Sequence, residues 1–261
     1  MCNEPWSKIY PPSIPSKALS KYKLALQNKT KSNKSRYKKI ERYLCAASFS
    51  YFIESTPQYW TGNTLNVSEL VKGALQCHTE LDKKIMNQLW AIDKKKNLPL
   101  QDIIPVVDLS SSMERDHCEP LYNAIGLGIR ISEIVQGDFK NRLMVFSATP
   151  SWLQFNEKQT FVDKVNMVNN TIRGLNSNIK AVIKTFISTF LATRIDNKAI
   201  KKLTIAIFSD MQADEFSKYD SLPLYDNIKK MFSQHSLREM PTLLFWNVRK
   251  TDGFPASMGH K

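Results

Sequence analysis

No Cys-x-x-Cys pair occurs in the 261 residues, and the four cysteines, Cys2, Cys45, Cys77 and Cys118, stand far apart. That spacing excludes a zinc knuckle and a dithiol redox motif. So low a density at this length argues for reduced thiols rather than a disulfide framework. No apolar run approaches the roughly 18 residues that span a bilayer. The start, Met1-Cys2-Asn3-Glu4-Pro5-Trp6, has no charged segment leading into an apolar one, so it does not read as a signal peptide. An intracellular, cytoplasmic protein without membrane contact is expected. Neither a P-loop, a G-x-G-x-x-G fingerprint nor a G-x-S-x-G elbow is present. The four histidines, His78, His117, His235 and His260, form no H-x-x-x-H pair. With these signatures missing, a binding role rather than an enzymatic one is expected.

What the chain has is a core and an uneven charge. Hydrophobic residues make up 42% and aromatics 10%, enough for a folded protein. The net charge is +13. Residues 1–100 hold 17 Lys/Arg against 7 Asp/Glu, a net of +10, which leaves 20 against 17 and a net of +3 for residues 101–261. Ten basic residues and one acidic residue, Glu41, fall between Lys17 and Arg42. Such a segment attracts polyanions. It reads either as a solvated helical face with a lysine-rich loop or as an RNA contact through Lys21, Lys23, Lys34, Arg36, Lys38, Lys39 and Arg42.

Two regions are expected, a basic helical region over 1–97 and an α/β domain over 98–261. In the first, helices are predicted over 16–26, 36–52, 69–76 and 80–93, with Ser16 and Ser68 as caps. Tyr37, Ile40, Leu44 and Ala47 recur at helical spacing, as do Leu81, Ile85, Leu89 and Ile92, the latter read as core. After Asn97 the pattern changes. Ile103-Ile104-Pro105-Val106-Val107 reads as a buried strand ending in Asp108, although Pro105 donates no ladder bond. Further strands are predicted at 143–146, 151–155 (a short antiparallel edge), 203–208 and 243–246. Helices are predicted at 121–135, 161–168, 179–191 and 224–232. The alternation implies a doubly wound, mainly parallel sheet. A complete domain of this type would add one more strand and helix, so the chain is read as truncated or as ending its sheet early.

In an open parallel sheet, ligands bind beyond the carboxyl ends of the strands where the strand order reverses. In the order 3-2-1-4-5, that point lies between the first and fourth strands, which end in Asp108 and in Ser209-Asp210. Two carboxylates meeting there call for a hard cation. Ser110 and Ser112 follow Asp108 on the turn, and their hydroxyls add oxygen ligands without charge. So few carboxylates leave positions open for water or for an acidic group. The alternative is that Asp108 and the serines cap the next helix. A haloacid-dehalogenase-like phosphatase is a further alternative, but that chemistry needs a second acid where Ser110 stands.

Val106-Val107-Asp108-Leu109-Ser110-Ser111-Ser112-Met113 resembles the metal-ion-dependent adhesion site of von Willebrand factor A domains. Phe208-Ser209-Asp210-Met211 resembles their later aspartate segment. Phe245-Trp246-Asn247-Val248-Arg249 is similar to the closing strand of a subgroup from plants, fungi and giant DNA viruses. The resemblance implies a von Willebrand factor A-like fold and a site of Asp108, Ser110, Ser112, Ser177 and Asp210. Ser177, in Gly174-Leu175-Asn176-Ser177-Asn178, stands where such domains carry threonine, and Ser111 stands where they carry glycine. Mg2+ is the implied ion, with Mn2+ or Ca2+ able to substitute, and the implied partner is a protein that supplies an acidic residue. The subgroup also resembles the Ro ribonucleoprotein. This implies RNA binding by the basic helical region, with Tyr22, Tyr37, Tyr43 and Trp60 able to stack on bases.

Overall fold

The computed structural model describes residues 5–55, 65–94, 98–146, 149–171, 178–210, 224–235 and 237–249. The chain divides into two compact units, Met1–Asn97 with Thr160–Asn166, and Leu98–Gln159 with Met167–Lys261. Among the described residues no helix is long and apolar enough to cross a membrane.

The first unit is helical: α1 (Ser16–Leu26), α2 (Ile40–Ser55), α3 (Val67–Leu75) and α4 (Glu80–Lys94). Leu19, Phe49, Ile53, Leu70, Val71, Ile85, Met86 and Trp90 form its buried interior. Gly73 brings α3 close to its neighbours, since a Cβ there would lie 2.6 Å from Met86 Cε. Trp90 stacks on Phe161 with ring centroids 4.0 Å apart. Two caps differ from expectation. Asn66, not Ser68, caps α3: its Oδ1 accepts from Glu69 N at 2.7 Å, while Asn66 N donates to Glu69 Oε2 at 2.9 Å. Ser16 is the first residue of α1 rather than its cap, and no side chain caps that helix.

Helix α2 turns the opposite face inward from the one its spacing suggests. Cys45, Phe49, Phe52 and Ile53 are buried, whereas Ile40, Leu44 and Ala47 are exposed, Ile40 at 70%. Both sides of this helix carry apolar residues, so periodicity alone does not select one.

The second unit is an α/β layer structure. Its five-stranded sheet contains β2 (Ile103–Asp108), β4 (Arg142–Phe146), β5 (Ser151–Gln154), β6 (Thr204–Ser209) and β7 (Thr242–Asn247), in the order β5-β4-β2-β6-β7. All neighbours are parallel except the edge strand β5, which is antiparallel to β4. A small parallel pair, β1 (Leu100–Gln101) and β3 (Val135–Gln136), lies apart from it. The ladder to β4 begins at Val106, one residue past Pro105, so the missing proline donor interrupts no pair on that side.

The helices of this unit include α5 (Glu119–Ile134), α7 (Ile179–Thr193), α8 (Asn197–Lys202) and α9 (Leu224–Gln234). Helix α6 (Phe161–Asn169) contributes its first six residues to the other unit. Helices α7, α8 and α9 cover one face of the sheet, where Phe186, Phe190, Ile200 and Phe232 pack with Ile104, Val106, Ile205 and Ile207. Helix α5 covers the other face. It approaches so closely that a Cβ on Gly128 would meet Val107 Cγ2 and lie 2.6 Å from Leu143 Cδ1.

Candidate metal centre

Central strand β2 bonds to β4 on one side and to β6 on the other, so the sheet's order reverses between β2 and β6. Their register pairs Val107 with Phe208, which brings the carboxyl ends of the two strands level. Asp108 closes β2; Ser209 closes β6, and Asp210 follows it. All three are buried, Asp108 completely.

A continuous polar network joins the strand ends. Asp108 Oδ1 accepts from the backbone N–H of Ser110 at 2.8 Å. Asp108 Oδ2 accepts from the hydroxyl of Ser209 at 2.6 Å. Ser112 Oγ donates to Asp210 Oδ1 at 3.1 Å, and Ser110 Oγ lies 3.1 Å from Ser112 Oγ. Because a hydroxyl has one proton and Ser112 gives its own to Asp210, Ser110 is the donor in the serine pair. The backbone N–H of Asp210 points at Met113 Sδ, 3.2 Å away, and Met113 is fully buried. Leu109 N donates to Phe146 O and Val248 N to Ser209 O, which ties the loop to the sheet on both sides.

The turn that presents the serines is a 3-10 helix, Ser111–Glu114, with extended Ser110 as its N-cap. Ser111 has no positive φ, so this turn does not require glycine at that position. The next helix, Glu119–Ile134, has Cys118 as its N-cap and no side-chain cap bond, so neither Asp108 nor the serines cap it. Just beyond lie three consecutive residues in the left-handed region, Asp116, His117 and Cys118, with φ of 53°, 59° and 63°. Each costs roughly 1–2 kcal/mol. Arg249, after β7, donates from Nε to Asp116 Oδ2 at 3.2 Å and anchors this turn.

The donor set fits a small hard cation. Among the described residues no three His, Cys, Asp or Glu side chains form a metal-holding group, so a chelating cage of acids is absent. Two carboxylates and two hydroxyls are instead brought together. Adjacent oxygens around an octahedral ion at about 2.0–2.1 Å lie about 2.9–3.0 Å apart. The 3.1 Å spacings of Ser110 with Ser112, and of Ser112 with Asp210, are close to that edge length. An ion seated among these oxygens would take the place of the two hydrogen bonds.

Of the five residues expected at the site, the structure brings together Asp108, Ser110, Ser112 and Asp210; Ser177 lies outside the described residues. Ser209 joins the site, and sequence reasoning missed its role. Its signal was only its position as the last strand residue, immediately before Asp210.

The basic residues separate into two groups. Lys21, Lys34, Arg36, Lys38 and Lys39 are exposed. Lys23 and Arg42 must be withdrawn from any outward-facing set. Lys23 is 6% exposed, and its Nζ donates to Gly73 O at 3.0 Å. Arg42 is 4% exposed, with Nη2 donating to Ala25 O at 2.6 Å and its guanidinium 3.4 Å from the centroid of the Trp6 ring. Burial lowers the pKa of Arg42. Tyr22, Tyr37 and Tyr43 are exposed, while Trp60 lies outside the described residues.

Neither the curated proteins nor the solved structures give a match to this chain. Residues 102–261 match a domain of unknown function, DUF7788, and the chain belongs to that family.

Proposed function

We propose that the second unit is a von Willebrand factor A-like module that binds an acidic group of a protein partner through a divalent cation, and that it does so without catalysis. The observation that carries this reading is the joining of Asp108, Ser110, Ser112 and Asp210 in one network at the point where the strand order reverses. The sheet order, with an antiparallel edge strand beside a parallel core, supports it as well.

Mg2+ is the ion such a donor set favours. When bound, it would supply a positive centre with open positions for a carboxylate. The chain's own residues do the positioning. Ser209 and the Ser110 amide hold the two Asp108 oxygens, so the carboxylate is oriented before any ion arrives. Ser110 and Ser112 contribute neutral oxygens, which leaves the site short of negative charge and receptive to an acid from outside. The test is thermal unfolding of metal-free protein titrated with magnesium. A saturable rise in the midpoint is expected; a midpoint flat through millimolar metal overturns the reading.

A second reading, RNA contact by the first unit, is favoured by the exposure of Tyr22, Tyr37 and Tyr43 alongside Lys34, Arg36, Lys38 and Lys39. Aromatic faces and lysines presented together suit a single strand. Affinity for an RNA oligonucleotide should fall steeply with salt. A shift indifferent to salt counts against it.

A further inference from the structure

The first unit contains a cavity of about 700 Å³ whose lining includes Lys17, Lys21, Lys23, Lys31, Lys72 and Glu69. From this structure we infer that the cavity is a binding site for a compact polyphosphorylated ligand, one carrying two or more adjacent phosphate groups.

Five lysines line one concavity against a single acid; Lys23 is buried, the other four are exposed at its rim, and Lys21 Nζ lies over the Tyr22 ring. That acid is already engaged: Glu69 Oε2 accepts from Asn66 N in the α3 capping box, and its Oε1 stands 3.8 Å from Lys17 Nζ. Lys31 and Lys72 have no acidic partner among the described residues. Lys17 and Lys21 sit four apart on α1, an arrangement of like charges that disfavours the helix.

The most informative member is Lys23. It is buried among the lining residues, and its partners are the Gly73 carbonyl and, at 3.8 Å, Cys77 Sγ. Neither is an anion, because burial holds Cys77 as the neutral thiol. Both direct partners are neutral; the buried Asp82 carboxylate acts on the same Cys77 but makes no direct bond to Lys23 Nζ. A phosphate oxygen reaching the interior of the cavity would add an anion in direct contact. A volume near 700 Å³ lies within the range of small-molecule pockets. Leu24, Leu65 and Leu75 also line it, leaving apolar surface for a ring beside the phosphates. A nucleic-acid strand lying across a surface would not reach a lysine buried to this degree, which favours a compact ligand over a polymer.

The experiment is calorimetric titration of the full chain with inorganic tripolyphosphate in metal-free buffer near physiological ionic strength. The absence of metal keeps the candidate metal centre out of the measurement. One saturable site is expected. Lys31→Glu with Lys72→Glu should weaken it at least about tenfold, because two charge-assisted contacts become repulsive. Lys158→Glu with Lys198→Glu, exposed and outside the cavity, should leave it unchanged. The positions in both pairs are exposed, and unfolding midpoints will verify that each variant folds. Single Lys31→Ala and Lys72→Ala changes, each weakening binding, provide a second check. No saturable binding overturns the proposal, as does equal weakening by both pairs, which would mean diffuse attraction. Binding of a single-stranded RNA oligonucleotide through Lys31 and Lys72, without any tripolyphosphate binding, also overturns it in favour of a polymer groove.

Discussion

Replacing Asp108 with asparagine separates the carboxylate's charge from its shape. In the native chain both carboxylate oxygens accept hydrogen bonds, from Ser110 N at 2.8 Å and from Ser209 Oγ at 2.6 Å. Asparagine can keep the first through its carbonyl and make the second in reverse, its amide donating to a rotated Ser209 hydroxyl. What disappears is the charge assistance, roughly 1–3 kcal/mol over the two bonds, together with the repulsion between two buried carboxylates, which acts in the opposite sense. Metal-free Asp108→Asn should therefore unfold close to the native chain. Magnesium should then open a gap. At about 100 times its dissociation constant an ion stabilises the fold that binds it by about 2.7 kcal/mol. At roughly 2–4 °C per kcal/mol for a domain of this size, the native midpoint should rise by about 5–11 °C. The variant, with one carboxylate of two, should barely respond. The assay is a pair of scanning-calorimetry melts per protein, one after chelation and dialysis and one with magnesium. Equal increments in both proteins would place the ion elsewhere and refute the reasoning; no increment in either would refute the site itself.

Four further outcomes are expected. Two carboxylates and two hydroxyls are too few for the roughly 6–8 oxygens calcium takes but suit magnesium, which keeps several waters, so Mg2+ should stabilise more than Ca2+ at equal concentration; the reverse order in melts would show that further oxygens join the site. Burial pushes the Cys77 thiol up to about 11, so it should react with iodoacetamide at pH 8 far more slowly than a free cysteine, with a rate that rises through pH 10; mass spectrometry of the labelled chain follows it. The folded chain keeps that proton while the unfolded chain loses it near 9.0, so Cys77 should make stability fall, not rise, between pH 9 and 11. Gly128→Ala should cost about 1–3 kcal/mol, read as a lowered unfolding midpoint, because the added methyl meets Val107 and Leu143 on a sheet with little room to yield; an unchanged midpoint would mean that α5 can lift away.

The strands were legible because each is a short apolar run bounded by polar residues, and their order followed from the alternation with helices. Asp108 and Asp210 stood out for one reason: each closes or follows a buried strand. The serine loop was legible from spacing, whereas Ser209 was hidden, since a strand-terminal serine has no pattern of its own. Helix α8, six residues capped by Asp196, is too short to show a period. The two-residue strands β1 and β3 are shorter still. Asn66 could have been read as the α3 cap from Glu69 three residues on. The inverted face of α2 could not, because Arg42 packs its stem inward and stacks on Trp6 while Ile40 and Leu44 face out. Lys23 was misread for the same reason: charge in a sequence says nothing about which long side chains are folded in.

The hydrogen bonds that knit the candidate metal centre span 101 residues between Asp108 and Ser209 and 98 between Ser112 and Asp210. Everything from α5 through α8 is threaded between those partners. The centre is thus a clasp across a long excursion of chain, and it closes only when β2 and β6 lie side by side. An unfolded or half-folded molecule has no such clasp to offer. Ion binding would therefore count only completed molecules. A partner that docks through the ion would be inspecting the fold of this protein before engaging it.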